Sequence, residues 1–265
     1  MLSISLPKKP KVIEQDKNAH RASIEIRELY PGYGPTIGNA LRRALYSSLP
    51  GAAITSVKIL GVPHEFSTIE GVLEDVLEIS LNVKQIRLNL HGDEPQTLTL
   101  KAKGKKEITA KDIEVPSQVE ISNKDAHILT LTSPKSSIEM EFRVEQGLGY
   151  VQVDQDEKDK KEIGVIRLDA VFSPVKKVNF EVENMRVGDK TDYNRLVLDI
   201  TTDGTVSAED AFVQATKVML EHFNLFMSLS GEKGAKSTVK KKTPAKKKTP
   251  AKKKQAKDNK KPAKK

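Results

Sequence analysis

The sequence predicts an α+β fold, and two observations carry that prediction. Between Ile86 and Met140, short runs in which apolar and polar residues alternate are separated by Gly, Pro, Asn and Asp, which is typical of a small antiparallel β region. Segments 35–49 and 207–230 instead repeat apolar residues at intervals of three and four, which is typical of amphipathic helices. Strands and helices that do not alternate regularly along the chain indicate an α+β protein.

Composition restricts the class of protein further. The chain has 265 residues, of which 37% are hydrophobic, and this suffices for a real core of one or two domains. It has no cysteine, which excludes disulfides, thiolate metal sites and cysteine catalysis and favours a reducing cytoplasm. Because neither a signal-peptide pattern nor an apolar run of about 18 residues occurs, we expect a cytoplasmic protein that does not associate with membranes.

Charge is distributed unevenly along the chain. Residues 232–265 contain 16 Lys and two acidic residues, whereas the rest has 29 basic residues against 34 acidic ones, a net charge of −5. This Lys-rich tail repeats TPAKKK and has no apolar periodicity, so we expect it to be disordered. Such a segment can bind DNA phosphates without sequence preference, or it can remain solvated and keep the protein soluble. The sequence leaves both alternatives open.

An alternating run at 22–29 predicts a half-buried strand that leads into the turn YPGYGP. Gly32, Gly34 and Gly38 follow and suggest a dinucleotide-binding loop at first sight. Their spacing is G-x-G-x-x-x-G, one residue too long, and no βαβ unit follows. We therefore interpret them as a tight strand-to-helix turn and expect no cofactor.

The helix at 35–49 has one apolar stripe. Its members are Ile37, Ala40, Leu41, Ala44, Leu45, Ser48 and Leu49. At about 100° per residue, Arg42, Arg43 and Tyr46 are expected on the opposite face. We therefore predict a helix that is buried on one side and presents two guanidiniums and a phenol on the other.

The segment after this helix contains a strand signal at 53–59 and a second helix signal. Ser67 and Glu70 match a capping box, which predicts a helix over about 68–83. His64 and Glu65 resemble a base and a carboxylate, but no second His or carboxylate pair accompanies them. We predict no catalytic residue and no metal site.

The second half of the chain ends in another helix. Segment 154–162 has no apolar residue and predicts an exposed loop, and strands are expected at 165–172 and 178–182. Ser207 to Asp210 match a second capping box, which opens the helix at 207–230. Its apolar arc exceeds half the circumference, so either the chain folds back over it or a second copy covers it, and we favour a homodimer.

Two long motifs, GNALRRALYSSLPGAAIT (38–55) and HEFSTIEGVLEDV (64–76), closely resemble the amino-terminal domain of the bacterial RNA polymerase alpha subunit. The resemblance resumes at GYVQV (149–153), SPVKKVNFEVE (173–183) and TDYNRLVLDITTDGT (191–205), and it covers about Ala19 to Gly231. It implies a homodimeric scaffold on which the catalytic beta and beta-prime subunits assemble for transcription. The chain would then be part of a nucleotidyltransferase and nucleoid-associated within it, without carrying a catalytic residue.

The resemblance also implies a domain division and residue roles. Residues 1–49 and 174–231 would form a discontinuous dimerisation domain of a sheet and two helices, with 50–173 as an inserted, mostly antiparallel β domain. The implied contact residues are Arg42, Arg43, Tyr46, His64, Glu65 and Glu70 for the beta subunit, Lys84 and Leu168 for beta-prime, and Ile37, Leu41, Leu45, Phe212, Met219, Phe223, Phe226 and Met227 for the dimer interface.

The chain departs from the family pattern in three places. Pro35 stands where His is common, Gln146 stands where an Arg is common, and the Lys-rich tail occupies the place of a second folded domain that binds promoter DNA and regulators. We therefore expect the assembly role to transfer but not the activator contacts. The alternative from a different class is a nucleic-acid-compacting protein whose folded part dimerises a polycationic tail.

Overall fold

The computed structural model describes residues 4–16, 18–153 and 164–228. The Lys-rich tail, the predicted loop at 154–162 and the predicted end of the last helix at 230 lie outside these residues. The described helices are α1 (Tyr33–Ser47), α2 (Val76–Val83) and α3 (Ala208–Met227), with a 3-10 turn at Ala110–Asp112. The strands are β1 (Lys11–Asp16), β2 (Arg21–Leu29), β3 (Pro50–Ile59), β4 (Leu88–Leu90), β5 (Gln96–Lys103), β6 (Lys106–Thr109), β7 (Ile113–Glu114), β8 (Val119–Ile121), β9 (His127–Leu131), β10 (Ser137–Leu148), β11 (Tyr150–Val151), β12 (Val165–Arg167), β13 (Ala170–Val171), β14 (Val175–Val187) and β15 (Lys190–Thr202).

The strands form two main sheets. A four-stranded sheet has the order β1-β2-β15-β14, and a seven-stranded sheet has the order β7-β5-β10-β3-β4-β8 with β12 paired to β3. The pairs β11-β13 and β6-β9 form two smaller sheets. Every strand pair in the described part of the chain is antiparallel, which confirms the α+β prediction.

Each main sheet has its own hydrophobic core. One cluster joins β2, β14 and β15 to α1 and to the first two turns of α3. The other lies within the seven-stranded sheet and includes Val76, Ile79 and Val83 from α2. By backbone contacts the chain divides into two compact units, of which one ends at Phe223 and contains both sheets, and the other begins at Asn224. The division into a discontinuous and an inserted domain stays a prediction.

Strand β2 is buried on both faces, so the expectation of a half-buried strand is wrong. Ala22 and Ile24 point to the core as predicted, but Ser23 and Glu25 on the other face are buried too. Glu25 accepts a hydrogen bond from Arg195 Nε at 2.5 Å. The long side chains of the neighbouring strand cover this polar face, which an alternating sequence pattern does not report.

Helix α2 begins at Val76 rather than near residue 68. The Ser67 hydroxyl lies 3.1 Å from His64 Nδ1 and caps no helix. Gly71, at φ 78°, interrupts the predicted helix. The N-cap is Asp75, whose carboxylate accepts the N–H of Glu78 at 2.7 Å. The capping-box pattern therefore predicted the wrong start.

Two other predicted elements differ in detail. The run at 165–172 is not one strand, because β12 pairs with β3 whereas β13 pairs with β11. The second capping motif is present, since the N–H of Asp210 donates to the Ser207 hydroxyl at 3.1 Å. None of the described helices is long and apolar enough to cross a membrane.

Candidate subunit-docking surfaces

Helix α1 lies directly on β14 and β15 because two of its positions have no side chain. A Cβ atom at Gly34 would lie 2.6 Å from Val182 Cγ1. One at Gly38 would lie 2.7 Å from the Phe180 ring and 2.9 Å from Leu196 Cδ1. The glycines that resemble a nucleotide-binding loop therefore let the helix approach the sheet closely.

The buried side of α1 is covered within the protomer. Leu41 is 4% exposed and Leu45 is fully buried, and both belong to the core that α1 forms with β14 and β15. Their role in a dimer interface stays a prediction. Ile37 is half-buried against the same core.

Tyr46 does not lie on the exposed face where the helical wheel placed it. Its ring packs against the α1 core, and its hydroxyl accepts the N–H of Val178 at 2.7 Å. Arg42 and Arg43 are exposed, as predicted. The exposed face of α1 therefore includes the two guanidiniums but not the phenol.

Helix α3 is covered on one side only. Ala208, Ala211 and Ala215 are buried against the four-stranded sheet, and Phe212 and Met219 pack partly against the same core. The outer side is apolar and exposed, with Leu220 at 57% and Phe223 at 55%. A shallow groove of about 160 Å³ runs along this side and is lined by Phe212, Val213, Thr216, Lys217 and Leu220.

The remaining residues of α3 belong to the unit that begins at Asn224. Leu225, Phe226 and Met227 are each more than half exposed. Within this four-residue piece of helix, three large apolar side chains are therefore accessible to solvent.

A second apolar surface lies in the segment that precedes α2. Leu60, Phe66 and Leu73 are each more than 70% exposed. His64, Glu65 and Glu70 are exposed among them. The segment therefore exposes large apolar side chains together with polar ones, a combination typical of protein-binding surfaces.

Glu74 fixes the end of this segment to strand β9. Its carboxylate accepts the N–H of Thr130 at 2.7 Å and the Thr130 hydroxyl at 3.1 Å, and it lies 2.8 Å from His127 Nε2. Burial raises the pKa of Glu74, but the hydrogen bonds from Thr130 and His127 outweigh burial and lower the pKa below its ordinary value of 4.5. The ionised carboxylate therefore holds the apolar segment in place.

A third surface surrounds an ion pair between Lys84, just after α2, and Asp169. Lys84 Nζ lies 3.3 Å from Asp169 Oδ2, and the N–H of Val153 donates to Asp169 Oδ1 at 3.1 Å. The pKa of Asp169 is lowered, first by the Val153 N–H and also by Lys84. Strands β11 and β13 flank this pair and expose Tyr150, Val151 and Val171, together with Leu148 at the end of β10.

Comparisons with known proteins agree with the motifs. The family model for the RNA polymerase Rpb3/RpoA insert domain matches residues 57–173. The DNA-directed RNA polymerase subunit alpha of Carboxydothermus hydrogenoformans is 49% identical over 222 residues, which cover 84% of this chain and 71% of the relative. The protein of the same name from Symbiobacterium thermophilum is 46% identical over 230 residues, 87% of this chain and 72% of the relative. The chain belongs to the DNA-directed RNA polymerase alpha-subunit family.

The alpha-subunit fold brings together some of the sequence-predicted contact residues and not others. Lys84 and Leu168 are distant in sequence, yet Asp169, the neighbour of Leu168, pairs with Lys84. Leu168 itself is a core residue with 8% exposure, and its contact with the beta-prime subunit stays a prediction. Arg42 and Arg43 lie on α1, whereas His64, Glu65 and Glu70 lie in the loop before α2.

Sequence reasoning about this alpha-family chain missed two sets of residues. The exposed apolar residues around β11 and β13 occupy two-residue strands, which are too short for a periodic signal. The helix predicted at 68–83 includes Leu73, which lies outside α2 and is exposed in the structure, and the exposure of Phe66 has no periodic signal either. Among the described residues, no group of three or more His, Asp or Glu side chains is arranged to hold a metal ion.

Proposed function

We propose that this chain is the assembly subunit of a DNA-directed RNA polymerase. Two copies form a homodimer, and the dimer then binds the beta and beta-prime subunits, which carry the chemistry. The observation that carries the proposal is the difference between the two sides of α1. The apolar side is buried within the protomer, which holds the helix in place, while Arg42 and Arg43 are exposed on the other side. The site of action is the cytoplasm, on the nucleoid as part of the polymerase.

The homodimer forms through the outer side of α3. Leu220 and Phe223 are large apolar side chains that are more than half exposed in the protomer, and a groove lies beside them. A second copy offers the same surface, which suits a two-fold interface in which each helix fills the groove of the other. Phe212 and Met219 form the floor of this interface, and Phe226 and Met227 are proposed as further contacts with the second copy. The residues of 1–49 and 174–231 then act together as the dimerisation domain.

The beta subunit binds Arg42, Arg43 and the patch around Phe66. An Arg side chain suits this role because its planar guanidinium can make two parallel hydrogen bonds to a carboxylate or to backbone carbonyls. Phe66 and its exposed apolar neighbours supply area that loses water on binding, while His64, Glu65 and Glu70 form the polar rim. Tyr46 supports this face from beneath.

The beta-prime subunit binds around Lys84. The partly exposed Lys84–Asp169 pair offers charges of both signs, and Tyr150 and Val171 provide apolar area beside it. Leu168 holds this surface in position from the core. The inserted domain, 50–173, thereby carries the beta-prime contact and part of the beta contact.

The test is reconstitution of the polymerase from purified subunits with Arg43→Ala. Because the guanidinium is exposed, the free energy of unfolding should change by less than about 0.5 kcal/mol. Assembly should nevertheless stop at the dimer. The matched control is Arg186→Ala, which removes an exposed guanidinium near the β14–β15 turn and should assemble normally.

Normal assembly of Arg43→Ala would contradict the proposed docking role. So would failure through loss of the fold, because the residue would then be structural. Thermal unfolding and dimer mass, measured on the same preparations, separate these outcomes.

We also propose that the Lys-rich tail tethers the assembled polymerase to DNA. The observation that favours this is its charge, 16 Lys against two acidic residues, on a chain whose remainder carries −5. Each Lys that neutralises a phosphate releases a counterion, so with ~6 to 10 phosphates engaged, affinity should fall by ~10³ to 10⁵ between 50 and 200 mM salt.

Truncation at Gly231 tests the tether. The truncated chain should still dimerise and assemble, but the polymerase that contains it should be retained less on promoter DNA and with a shallower salt slope. Equal retention and equal slopes would leave a solubilising tail. A full-length chain that compacts DNA but does not enter the polymerase would favour the DNA-compacting alternative.

A further inference from the structure

We infer that Asn194, on β15, is the positioning residue that caps α1 from a neighbouring strand and thereby sets the direction of the Arg42–Arg43 face. The inference rests on the proposed docking of the beta subunit to that face. It concerns a residue that touches neither guanidinium and acts through the backbone of the helix.

The start of α1 has no cap of its own. Its N-cap residue is Gly32, at φ 85°, which has no side chain to accept a hydrogen bond, and the first turn contains no acidic residue. The first N–H groups of a helix have no intrahelical partner, and they are costly to bury unsatisfied. A partner must therefore come from elsewhere in the chain.

Asn194 supplies that partner across about 160 residues of sequence. Its Oδ1 accepts the N–H of Gly32 at 3.0 Å and the N–H of Gly34 at 3.2 Å. The Tyr33 N–H donates to a backbone carbonyl of the preceding turn at 3.0 Å, and Pro35 has no N–H. Every donor of the first turn is thus accounted for, and one side chain satisfies two of them.

The Asn194 side chain is itself held in place. It is 7% exposed, and its Nδ2 donates to Asn184 Oδ1 on β14 at 3.3 Å. A Cβ atom at Gly34 would lie only 3.0 Å from Asn194 Cβ, so the helix start and this side chain are in close contact. The cap is therefore rigid and tied to two strands.

The opposite end of α1 has a matching polar anchor. In the last turn the Tyr46 hydroxyl accepts the N–H of Val178 on β14. Apolar contacts between helix and sheet are non-directional, whereas hydrogen bonds require particular distances and angles. The two anchors therefore fix the position and the rotation of α1 on the sheet. Arg42 and Arg43 lie between the two anchors.

The experiment compares Asn194→Ala and Asn194→Asp in full-length chains reconstituted with limiting beta subunit. Asn194→Ala should form dimers but bind the beta subunit about 2- to 30-fold less well, the range spanned by the loss of a helix cap. Asn194→Asp should restore binding, because a carboxylate accepts both N–H groups and suits the positive end of a helix. Amide exchange at Gly34 should accelerate in Asn194→Ala and return toward wild type in Asn194→Asp.

The control is Asn184→Ala, which removes the neighbour of Asn194 but leaves the two capping bonds, and which should bind the beta subunit within about twofold of wild type. Normal binding by Asn194→Ala, or folded Asn194→Asp dimers that fail equally, would overturn the inference. If Asn194→Ala does not fold, the folded Asn194→Asp dimer decides, since it retains the acceptor for both N–H groups and must bind the beta subunit as well as the wild type does. A wild-type chain that binds no beta subunit would instead overturn the proposed function.

Discussion

Helices α1 and α3 look alike in the sequence and differ in the structure. Both carry an apolar stripe at helical spacing, and both pack on the four-stranded sheet. The apolar stripe of α1 is buried against this sheet, with Leu45 fully buried. Helix α3 instead buries small residues such as Ala211 and leaves Phe223 exposed. Periodicity thus indicates that a stripe will be covered but not what covers it.

The sizes of the residues explain the difference. Helix α1 has Gly34 and Gly38 where it lies closest to the sheet, and its leucines fill the core beside them. The apolar stripe is therefore buried within one protomer. Helix α3 presents alanines to the sheet, with Phe212 and Met219 partly packed beside them, and leaves Leu220 and Phe223 exposed. A small-residue face against the protomer core and a large apolar face outward is the arrangement expected of a helix with a second partner.

The largest effect on the fold is expected at Leu45. Leu45→Ala should reduce the free energy of unfolding by about 2–5 kcal/mol, because it empties a fully buried site beneath α1. Chemical denaturation measures the loss, and Leu60→Ala, at an exposed position, is the control and should stay within about 0.5 kcal/mol. A loss below about 1 kcal/mol at Leu45 would contradict the difference between the two helices, since it would mean that the apolar stripe of α1 is not fully buried.

Helix α2 is intermediate between α1 and α3 in how much of its apolar surface is buried. It buries Val76 and Ile79 but exposes Leu77 and Leu81. The segment before α2 is held to strand β9 by Glu74. At neutral pH, Glu74→Gln should lower the free energy of unfolding by about 1–3 kcal/mol. The amide cannot accept all of the hydrogen bonds that the carboxylate makes with Thr130 and His127.

The pH dependence of the Glu74 effect has a definite sign. The folded-state pKa is lowered, so the carboxylate stabilises the fold fully above its ordinary value of 4.5, and the contribution is lost as pH falls below that value. Denaturation of wild type and Glu74→Gln over a pH series should therefore converge in acid. A constant difference between the two proteins would mean that the charge does not contribute.

The smallest effect on the protomer, and the largest on association, is expected at Phe223. Phe223→Asp should retain helix content by circular dichroism but yield monomers in light scattering, because the charge would have to lose water in the dimer interface. Phe66→Asp is the matched control, since it places the same charge at another exposed Phe and should remain dimeric. Dimeric Phe223→Asp would show that α3 is not the interface.

Local patterns predicted the elements that depend on local sequence. The strands β2 and β3, the amphipathic stripe of α1 and the Ser207 cap are all found in the structure, although β2 is buried on both faces. The family resemblance, carried by long ordered motifs, is confirmed by the comparisons.

The features that sequence could not predict are contacts between distant segments. Tyr46 points inward, where its hydroxyl accepts the N–H of Val178 on β14. A helical wheel contains no information about this contact with a distant strand. The Ser67 capping box fails because Gly71 and the Glu74 contact to Thr130 favour a loop over a helix. Asn194 caps a helix about 160 residues away, so no window of local sequence contains both partners.

Sedimentation equilibrium of the full-length wild-type chain tests the central claim most directly, because the account assigns the exposed face of α3 to a second copy. The account predicts a single species of twice the chain mass of 29.4 kDa at micromolar concentration. A monomer at that concentration would contradict it.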